Sequence, residues 1–434
     1  MDRAIAAYNA LLERGALADD SADALRAGQR ERSLFFGERP LSISLRPRFL
    51  SPARWRAAVT ASEATYRALR TLEKALLRDA ALRRELDLDG EEERLALADP
   101  GFRDSSPSSR LDGFFSDRLR YVEYNAESPA GMAYGDNLAA VFDALPVMRE
   151  FRRGWRVRAI PTRQRQLDTM LRCYRQWGRG TTPTVAIVDW TGLPTTSEWE
   201  MFRDFFQANG VATLICDPRE LQYAGGKLTA LGRHVTIVYR RVLTSELIAK
   251  NDPGRPLRRA YLDGAVCVVN SFRAKLLHKK MSLALLSDPA YTKLYSADER
   301  RAIARHIPWT RKLTPRLAED ALVRRERLVL KPNDEYGGKG VVLGWATAPS
   351  EWERAVSSAL GASYVIQEAV PVPKEPYPML LDGVRNVDAS LDLDPYLFGG
   401  KVGGSLTRLS SAALLNVTAG AGSVVPTYIV EPRE

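Results

Sequence analysis

Between Pro183 and Val269 the sequence alternates short β-branched apolar runs with a segment of helix length, and this alternation constrains the fold more than any other feature. Thr184-Val-Ala-Ile-Val188 carries no charged position on either face, the pattern of a strand buried on both sides in a parallel sheet. A helix is predicted over about Thr196–Asn209, ended by Gly210, with further strands over Val211–Cys216, Val235–Tyr239 and Ala265–Val269. Strands and helices in this order predict an open α/β sheet. No G-x-G-x-x-G follows the first strand, so a dinucleotide site is not supported. Asp189-Trp190 and Tyr239-Arg240-Arg241, at predicted strand ends, are candidates for reading a substrate; ordinary loop polarity is the competing explanation.

At 434 residues the chain exceeds the size at which one hydrophobic core keeps growing, so two or three domains or subdomains are expected. Hydrophobic residues at 45% and charged residues at 27% fit a soluble globular protein. Arg3, Glu13 and Arg14 interrupt any apolar core of signal-peptide length, and no run approaches a membrane span. A cytoplasmic protein without a membrane partner is the expectation. The 3 cysteines are far apart and the 3 histidines scattered, which argues against a disulfide framework, a zinc site or a histidine-rich metal centre. A net charge of +10 permits an anionic partner. Its densest basic run, Arg149–Arg165 with Phe151 and Trp155 interspersed, is broken by Pro161 and belongs to no nucleic-acid-reading module, so a solvated surface is expected and nucleic acid is not.

Elsewhere the periodicity predicts helices over residues 1–35, a short strand at Leu41, Ile43 and Leu45, and a long helix opened by Ser51-Pro52. That helix places Trp55, Val59, Tyr66, Leu69, Leu72 and Leu76 on one stripe. Residues 272–326 read as helices broken at Ile307-Pro-Trp-Thr310. A helix follows at about Ser350–Leu360, then strands at Tyr364–Val370 and Val387–Leu393, with Pro371–Pro378 between them and Gly399–Gly404 and Leu414–Val430 closing the chain.

Two stretches carry chemistry. Arg327-Leu-Val-Leu-Lys331 reads as a strand with Leu328 and Leu330 on one side and Val329 and Lys331 on the other, leading into a loop with Gly337, Gly338, Lys339 and Gly340. Such glycines let backbone N–H groups approach anionic oxygens, although a hairpin with a solvated lysine tip satisfies the pattern equally. The loop is not a Walker P-loop, because Gly340 follows Lys339 where Ser or Thr is required. The second stretch is a predicted hairpin of Ser109–Gly113 and Arg120–Asn125. If its strands pair, Arg110, Asp112, Glu123 and Asn125 gather two carboxylates, an amide oxygen and a guanidinium, a set suited to Mg²⁺ and phosphate; a surface hairpin with an Arg–Asp pair is the alternative. The buried run Tyr364-Val-Ile-Gln-Glu-Ala-Val370 adds a strand whose end could meet the edge of adenine.

Together these elements resemble the ATP-grasp superfamily, in its circularly permuted branch of glutathionylspermidine-synthetase-like proteins. The resemblance rests on Glu123-Tyr-Asn125 and its upstream Arg110-Leu-Asp112 lying far before Lys331 and the glycine loop, the reverse of the usual order. It rests also on Gly404-Ser-Leu-Thr-Arg408 and Asn416-Val-Thr-Ala-Gly-Ala-Gly422. The implied fold is α/β (α+β), a circularly permuted ATP-grasp fold with an open-sheet pre-ATP-grasp-like domain and a helical N-terminal region. The division expected is 1–100 helical, 101–150 metal-binding, 151–271 α/β and 272–434 nucleotide-binding.

By the same resemblance Asp112, Glu123 and Asn125 are implied to hold Mg²⁺, as two ions, against ATP phosphates, with Lys331 on the α/β-phosphates and Gly337, Gly338 and Gly340 as the covering loop. Lys339 is a further phosphate contact, and Lys280 matches the family's upstream lysine best, with Lys275 and Lys279 as alternatives. Gln367, Glu368 and Val370 fall in the adenine hinge, where Gln-Glu stands in place of a leading acid. Arg110 and Arg408 are implied to stabilise phosphoryl or acyl-phosphate oxygens. The implied activity is an ADP-forming carboxylate–amine ligase acting through an acyl phosphate. Phosphoryl transfer to a small molecule and a non-catalytic scaffold are the alternatives.

Overall fold

Thr184–Val188, Ala212–Cys216, Ile237–Arg240 and Cys267–Val269 form a four-stranded, all-parallel sheet, with Thr184–Val188 and Ile237–Arg240 at its centre. Alternate side chains leave opposite faces. Val185, Ile187, Ile237 and Tyr239 pack with Phe202, Phe206, Leu167 and Met170, whereas Ala186, Val188 and Val238 pack with Leu247, Leu257 and Tyr261. Both faces are therefore dry, which is why these strands are mostly apolar, the buried Arg240 at a strand end being paired with Glu127. The computed structural model that shows this describes residues 1–178, 182–412 and 422–433.

Three antiparallel sheets surround the functional region. The hairpin strands Ser108–Phe115 and Leu119–Asn125 pair as predicted, and the hairpin continues through Asp394–Phe398 and Lys401–Leu406, strands from the far end of the chain. Leu328–Pro332 lies between Tyr364–Glu368 and Val342–Leu343, with Thr310–Lys312 at the opposite edge. Leu328, Leu330 and Ile366 bury themselves against Trp352 and Val356 of the helix Pro349–Ala359, so the other face, with Val329 and Lys331, is left to the cleft. The third sheet contains Lys374–Leu381, Gly383–Leu391, Arg408–Ser410 and Gly422–Val424.

The N-terminal helices are Asp2–Leu12 and Gly15–Glu31. Ser51 caps the helix Pro52–Arg78 by accepting from the Arg54 N–H (3.2 Å). Tyr66, Leu69, Leu72 and Leu76 of its stripe are buried, while Trp55 and Val59 are half-buried at the more open first turns. One expectation is corrected, and two further elements appear. The strand placed at Leu41–Leu45 is only a single bridge, Ser44 to Met379; the strand lies just after it, Arg48–Leu50, parallel to Thr427–Pro432. The proline-rich Pro371–Pro378 enters the strand Lys374–Leu381, whose prolines Pro376 and Pro378 sit on an edge strand, where a missing N–H costs no ladder bond. An antiparallel excursion, Leu221–Ala224, Lys227–Ala230 and Arg233–His234, interrupts the parallel unit. The motif from Asn416 lies largely outside the described residues, as does the start of Leu414–Val430. Among the described residues no helix is long and apolar enough to cross a membrane.

Asn270 ties the parallel sheet to the hairpin. Its Nδ2 faces the carbonyls of Ser108 (2.5 Å), Ala126 (2.7 Å) and Glu127 (3.0 Å), and its Oδ1 accepts from the Ser108 N–H (3.2 Å), all in buried surroundings. Each buried group left without a partner costs about 1–3 kcal/mol. Asn270→Ala is therefore expected to lower the urea midpoint of unfolding by an amount equivalent to about 2–4 kcal/mol, a loss that circular dichroism measures.

Candidate functional site

The hairpin register builds the acidic set. Asp112 lies opposite Glu123 and Arg110 opposite Asn125, so the four side chains share one face. A bulge follows Asp112, and glycine is needed next to it: a Cβ on Gly113 would stand 2.5 Å from the Arg120 carbonyl oxygen. The Gly113 N–H donates instead to Asp394 Oδ1 (3.0 Å).

Two arginines grip Asp112. Arg110 donates Nε to Oδ1 (2.6 Å) and Nη2 to Oδ2 (2.9 Å), and Arg408 donates Nη2 to Oδ2 (2.9 Å). Burial disfavours the Asp112 charge, yet the Arg110 and Arg408 guanidiniums hold its pKa down at about 2. Arg408 is shared further, with Nε 2.6 Å from Asp392 Oδ2 and Nη2 2.8 Å from Asp394 Oδ2. The second contact is close but not aligned as a hydrogen bond, leaving Asp394 Oδ2 without one. Burial, reinforced by the neighbouring carboxylates and opposed by Arg408, pushes both Asp392 and Asp394 above the usual carboxylate range.

Facing this acidic wall are two buried lysines. Lys280 Nζ sits 3.1 Å from Glu123 Oε1 and donates to the Glu335 carbonyl (2.6 Å). Burial disfavours charge on Glu123, but Lys280 and, more weakly, Lys331 hold its pKa below the usual range against repulsion from Asp112. Lys331 Nζ donates to the Val122 carbonyl (3.0 Å) and to Gln367 Oε1 (2.7 Å), and Gln367 is steadied by donating to Thr310 Oγ1 (3.0 Å). Burial pushes Lys331 down to about 8, with Lys280 adding repulsion and Glu123 opposing it.

These groups line one cleft. Of the residues singled out from the sequence, Arg110, Asp112, Glu123, Asn125, Lys280, Lys331, Gly337, Gly338, Gln367, Glu368, Val370 and Arg408 form its walls, joined by the apolar Phe114, Val122, Val329, Leu343 and Trp345. Lys339 and Gly340 do not line it: Lys339 is exposed and pairs with Glu335 (3.2 Å), and Gly340 packs against Pro332. Lys275 and Lys279 stand apart as well. Lys275 Nζ is buried against Asp334 (2.6 Å), Glu127 (3.4 Å) and Glu92 (3.4 Å), and Lys279 pairs with Glu92 (2.7 Å), so among the three candidates Lys280 is the one in the cleft. The backbone N–H groups of Glu368 and Ala369 bond the Trp309 and Arg327 carbonyls (both 2.8 Å), and the Gln367 side chain holds Lys331.

Sequence reasoning missed Asp392 and Asp394. Their signal was present in Asp392-Leu-Asp394, two acids at strand spacing beside a strand otherwise apolar, but nothing local says that Arg408 is their partner. Among the described residues no three His, Cys, Asp or Glu side chains converge so as to hold a metal ion by themselves. The cleft offers two carboxylates in register and one amide, hard oxygens that fit a Mg²⁺ ion completed by substrate phosphates and water.

No protein-family model matches the chain, and no curated protein matches it. Among solved structures it is similar to a glutathione synthetase-like effector from Globodera pallida in its apo form, with 13% identity, a TM-score of 0.61, and coverage of 95% of this chain and 96% of that one. A protein named for gamma-glutamylcysteine synthetase from Methylobacillus flagellatus matches at 12% identity and TM-score 0.44 over 82% of this chain and 87% of its own. A RimK-domain ATP-grasp protein from Sphaerobacter thermophilus matches at 13% and 0.28 over 57% and 90%. The last two are too distant to carry an argument. The first shows that this chain shares, along nearly its whole length, the mixed helix-and-sheet fold of that glutathione synthetase-like protein.

Proposed function

We propose that the chain is an ATP-dependent carboxylate–amine ligase that works through an acyl phosphate and releases ADP. The observation that carries this reading is the convergence of Asp112, Glu123, Asn125, Lys280, Lys331 and Arg408 on one cleft, although segments far apart in the sequence supply them. The fold shared with a glutathione synthetase-like protein supports it. In this reading the order of the motifs is a circular permutation. Residues 101–150 and 272–434 build the nucleotide site and residues 151–271 read the substrates.

The chain's own groups have distinct tasks. Lys331 and Lys280 place positive charge where the ATP phosphates lie, and the segment with Gly337 and Gly338 covers them and keeps water from the activated carboxylate. Asp112, Glu123 and Asn125 are the groups that would hold Mg²⁺, which supplies charge neutralisation at the phosphates when bound. Arg408 faces the transferring phosphoryl group with a guanidinium already oriented by Asp392 and Asp394, so little reorganisation is needed as charge develops. The adenine edge would meet the carbonyls of Gln367–Ala369 and the backbone of Val370, since two hinge N–H groups are already engaged. Attack by an amine on the acyl phosphate then forms the amide, with no side-chain nucleophile required.

ADP release measured with pairs of amino acids and amines tests the assignment. Glu123→Gln and Lys331→Ala are each expected to lower kcat/KM for ATP by about 100-fold or more (roughly 2.7 kcal/mol). Full turnover by both variants would remove the site, and a stable phosphorylated product without amide would redirect the reading to phosphoryl transfer.

The buried Lys331 predicts a pH dependence. With a pKa near 8 in the folded protein, below the ordinary lysine value, it loses its charge as pH rises through 8. The kcat/KM for ATP is expected to fall on that limb, because this ratio reports the free enzyme. Lys331→Arg, charged throughout, should move the limb to higher pH even if its rate is lower. The same depression means that burying the ammonium costs stability below pH 8 and that this cost is relieved above it.

A further inference from the structure

One end of the cleft carries no charge, and the strand Leu328–Pro332 sets where that end lies. Val329 and Lys331 share its cleft face, about 7 Å apart. The register places Val329 opposite Leu343 on one side and Gln367 on the other. Leu328 lies opposite Glu368, and the Ala369 N–H bonds the Arg327 carbonyl, so the backbone leading to Val370 runs along the end away from Lys331. The strand Val342–Leu343 is antiparallel to Leu328–Pro332, so the step from Leu343 to Trp345 also leads away from Lys331. Val329, Leu343, Trp345 and Val370 therefore gather at an apolar end, and all four line the cleft.

Trp345 differs from the rest of that wall in what it leaves open. Of the 8 tryptophans, all among the described residues, Trp345 alone is exposed, with 41% of its surface uncovered. Its backbone is nevertheless clamped. Trp345 sits in the short turn Gly344–Ala346, where Arg325 Nη1 donates to the carbonyls of Gly344 (2.5 Å) and Thr347 (2.6 Å). The turn is pressed so closely on the preceding strand that a Cβ on Gly344 would stand 1.9 Å from the Arg325 carbonyl oxygen and 2.8 Å from that of Leu328. A rigid turn thus holds a large, open aromatic side chain at the apolar end of the cleft, and little ordering remains to be paid when a ligand covers it.

We propose that Trp345 is the nucleobase platform of the cleft, its indole stacking on a purine whose edge meets the backbone of Gln367–Val370. Val329, Leu343 and Phe114 complete the slot around the ring. The proposal rests on the nucleotide reading of the cleft and adds the residue that selects a flat aromatic group there. Aliphatic walls only shed water around a ring, whereas an indole face adds stacking, which is worth about tenfold or more in affinity for one base. The indole is uncharged, so its contribution belongs to the base, while Lys280 and Lys331 act on the phosphates. Base and phosphate recognition are thereby separable by mutation.

Fluorescence and calorimetry of the full chain with ADP, and separately with inorganic tripolyphosphate, test the assignment. ADP is expected to change the emission of the exposed tryptophan and to shield it from acrylamide. Both signals should vanish in Trp345→Phe, which keeps the affinity for ADP within about threefold because a ring remains. Trp345→Ala should weaken ADP by about tenfold or more and leave tripolyphosphate within about twofold, a split that misfolding does not produce. Lys331→Ala should weaken both. Equal affinity of wild type and Trp345→Ala for ADP overturns the proposal and leaves the nucleotide site standing, as does an equal loss of ADP and tripolyphosphate in Trp345→Ala, which would make the residue structural. Absence of ADP binding to the wild type removes the nucleotide reading and this proposal with it.

Discussion

The arrangement around the cleft depends on Arg408. Its guanidinium touches Asp112 from the hairpin near residue 110 and Asp392 and Asp394 from the C-terminal part of the chain, so one cation fixes three carboxylates that would otherwise repel one another. Without it, burial and mutual repulsion would push Asp392 and Asp394 further toward neutrality, and Asp112 would be left with Arg110 alone. With it, Asp112 stays strongly acidic beside Arg110, while Asp392 and Asp394 are held closer to protonation. The same contacts lock the edge between Ser108–Phe115 and Asp394–Phe398, so the electrostatics of the site and the closure of its sheet are one interaction.

A second buried network stands behind the first. Glu127, two residues past the hairpin, pairs with Arg240 at the end of a parallel strand (2.9 Å) and with Lys275 (3.4 Å), and Lys275 reaches Asp334 at the root of the glycine loop (2.6 Å). Burial disfavours the Glu127 charge, but Lys275 and Arg240 hold it well below the usual carboxylate range. Removing one partner from such a buried set is strongly destabilising, because a charge is left without compensation. Three parts of the fold, the parallel sheet, the hairpin and the loop, thus share one chain of charges. Arg240, a candidate substrate reader in the sequence, is spent on this internal pairing, whereas Arg241 is pinned by Glu198 (3.3 Å) and by the Pro129 carbonyl (3.0 Å).

Elements with strict local periodicity were legible in advance. Thr184–Val188 was readable to the residue because both of its faces are buried, and the strand Leu328–Pro332 was readable because its two faces differ. The Ser51-Pro52 start of the long helix follows from cap chemistry alone. Where the deciding contact is remote, the reading failed. Leu41–Leu45 has strand alternation, but the chain there is held by the Gln29 and Ser423 side chains and by scattered backbone bonds to Leu34, Pro378, Leu380 and Val424 rather than by a continuous ladder. The Pro371–Pro378 stretch reads as non-strand until Gly383–Leu391 is seen to pair with it on the side that needs no proline N–H.

The sequence by itself determined which groups exist for the chemistry: the Arg110/Asp112 and Glu123/Asn125 pairs follow from a period of two along two strands, and Lys331 follows from the opposite face of an apolar strand. Tertiary structure alone decided how those groups are charged and which of them meet. Lys280 enters the cleft while Lys275 and Lys339 do not, Gln367 grips Lys331, and Asp392 and Asp394 converge on Arg408, because each outcome depends on how separate elements pack rather than on the period of any one strand. The physical reason is one of range. Side-chain direction along a strand is set by the covalent geometry of neighbouring residues, whereas the protonation of a buried group is set by desolvation and by charges that only the folded chain brings within a few ångströms.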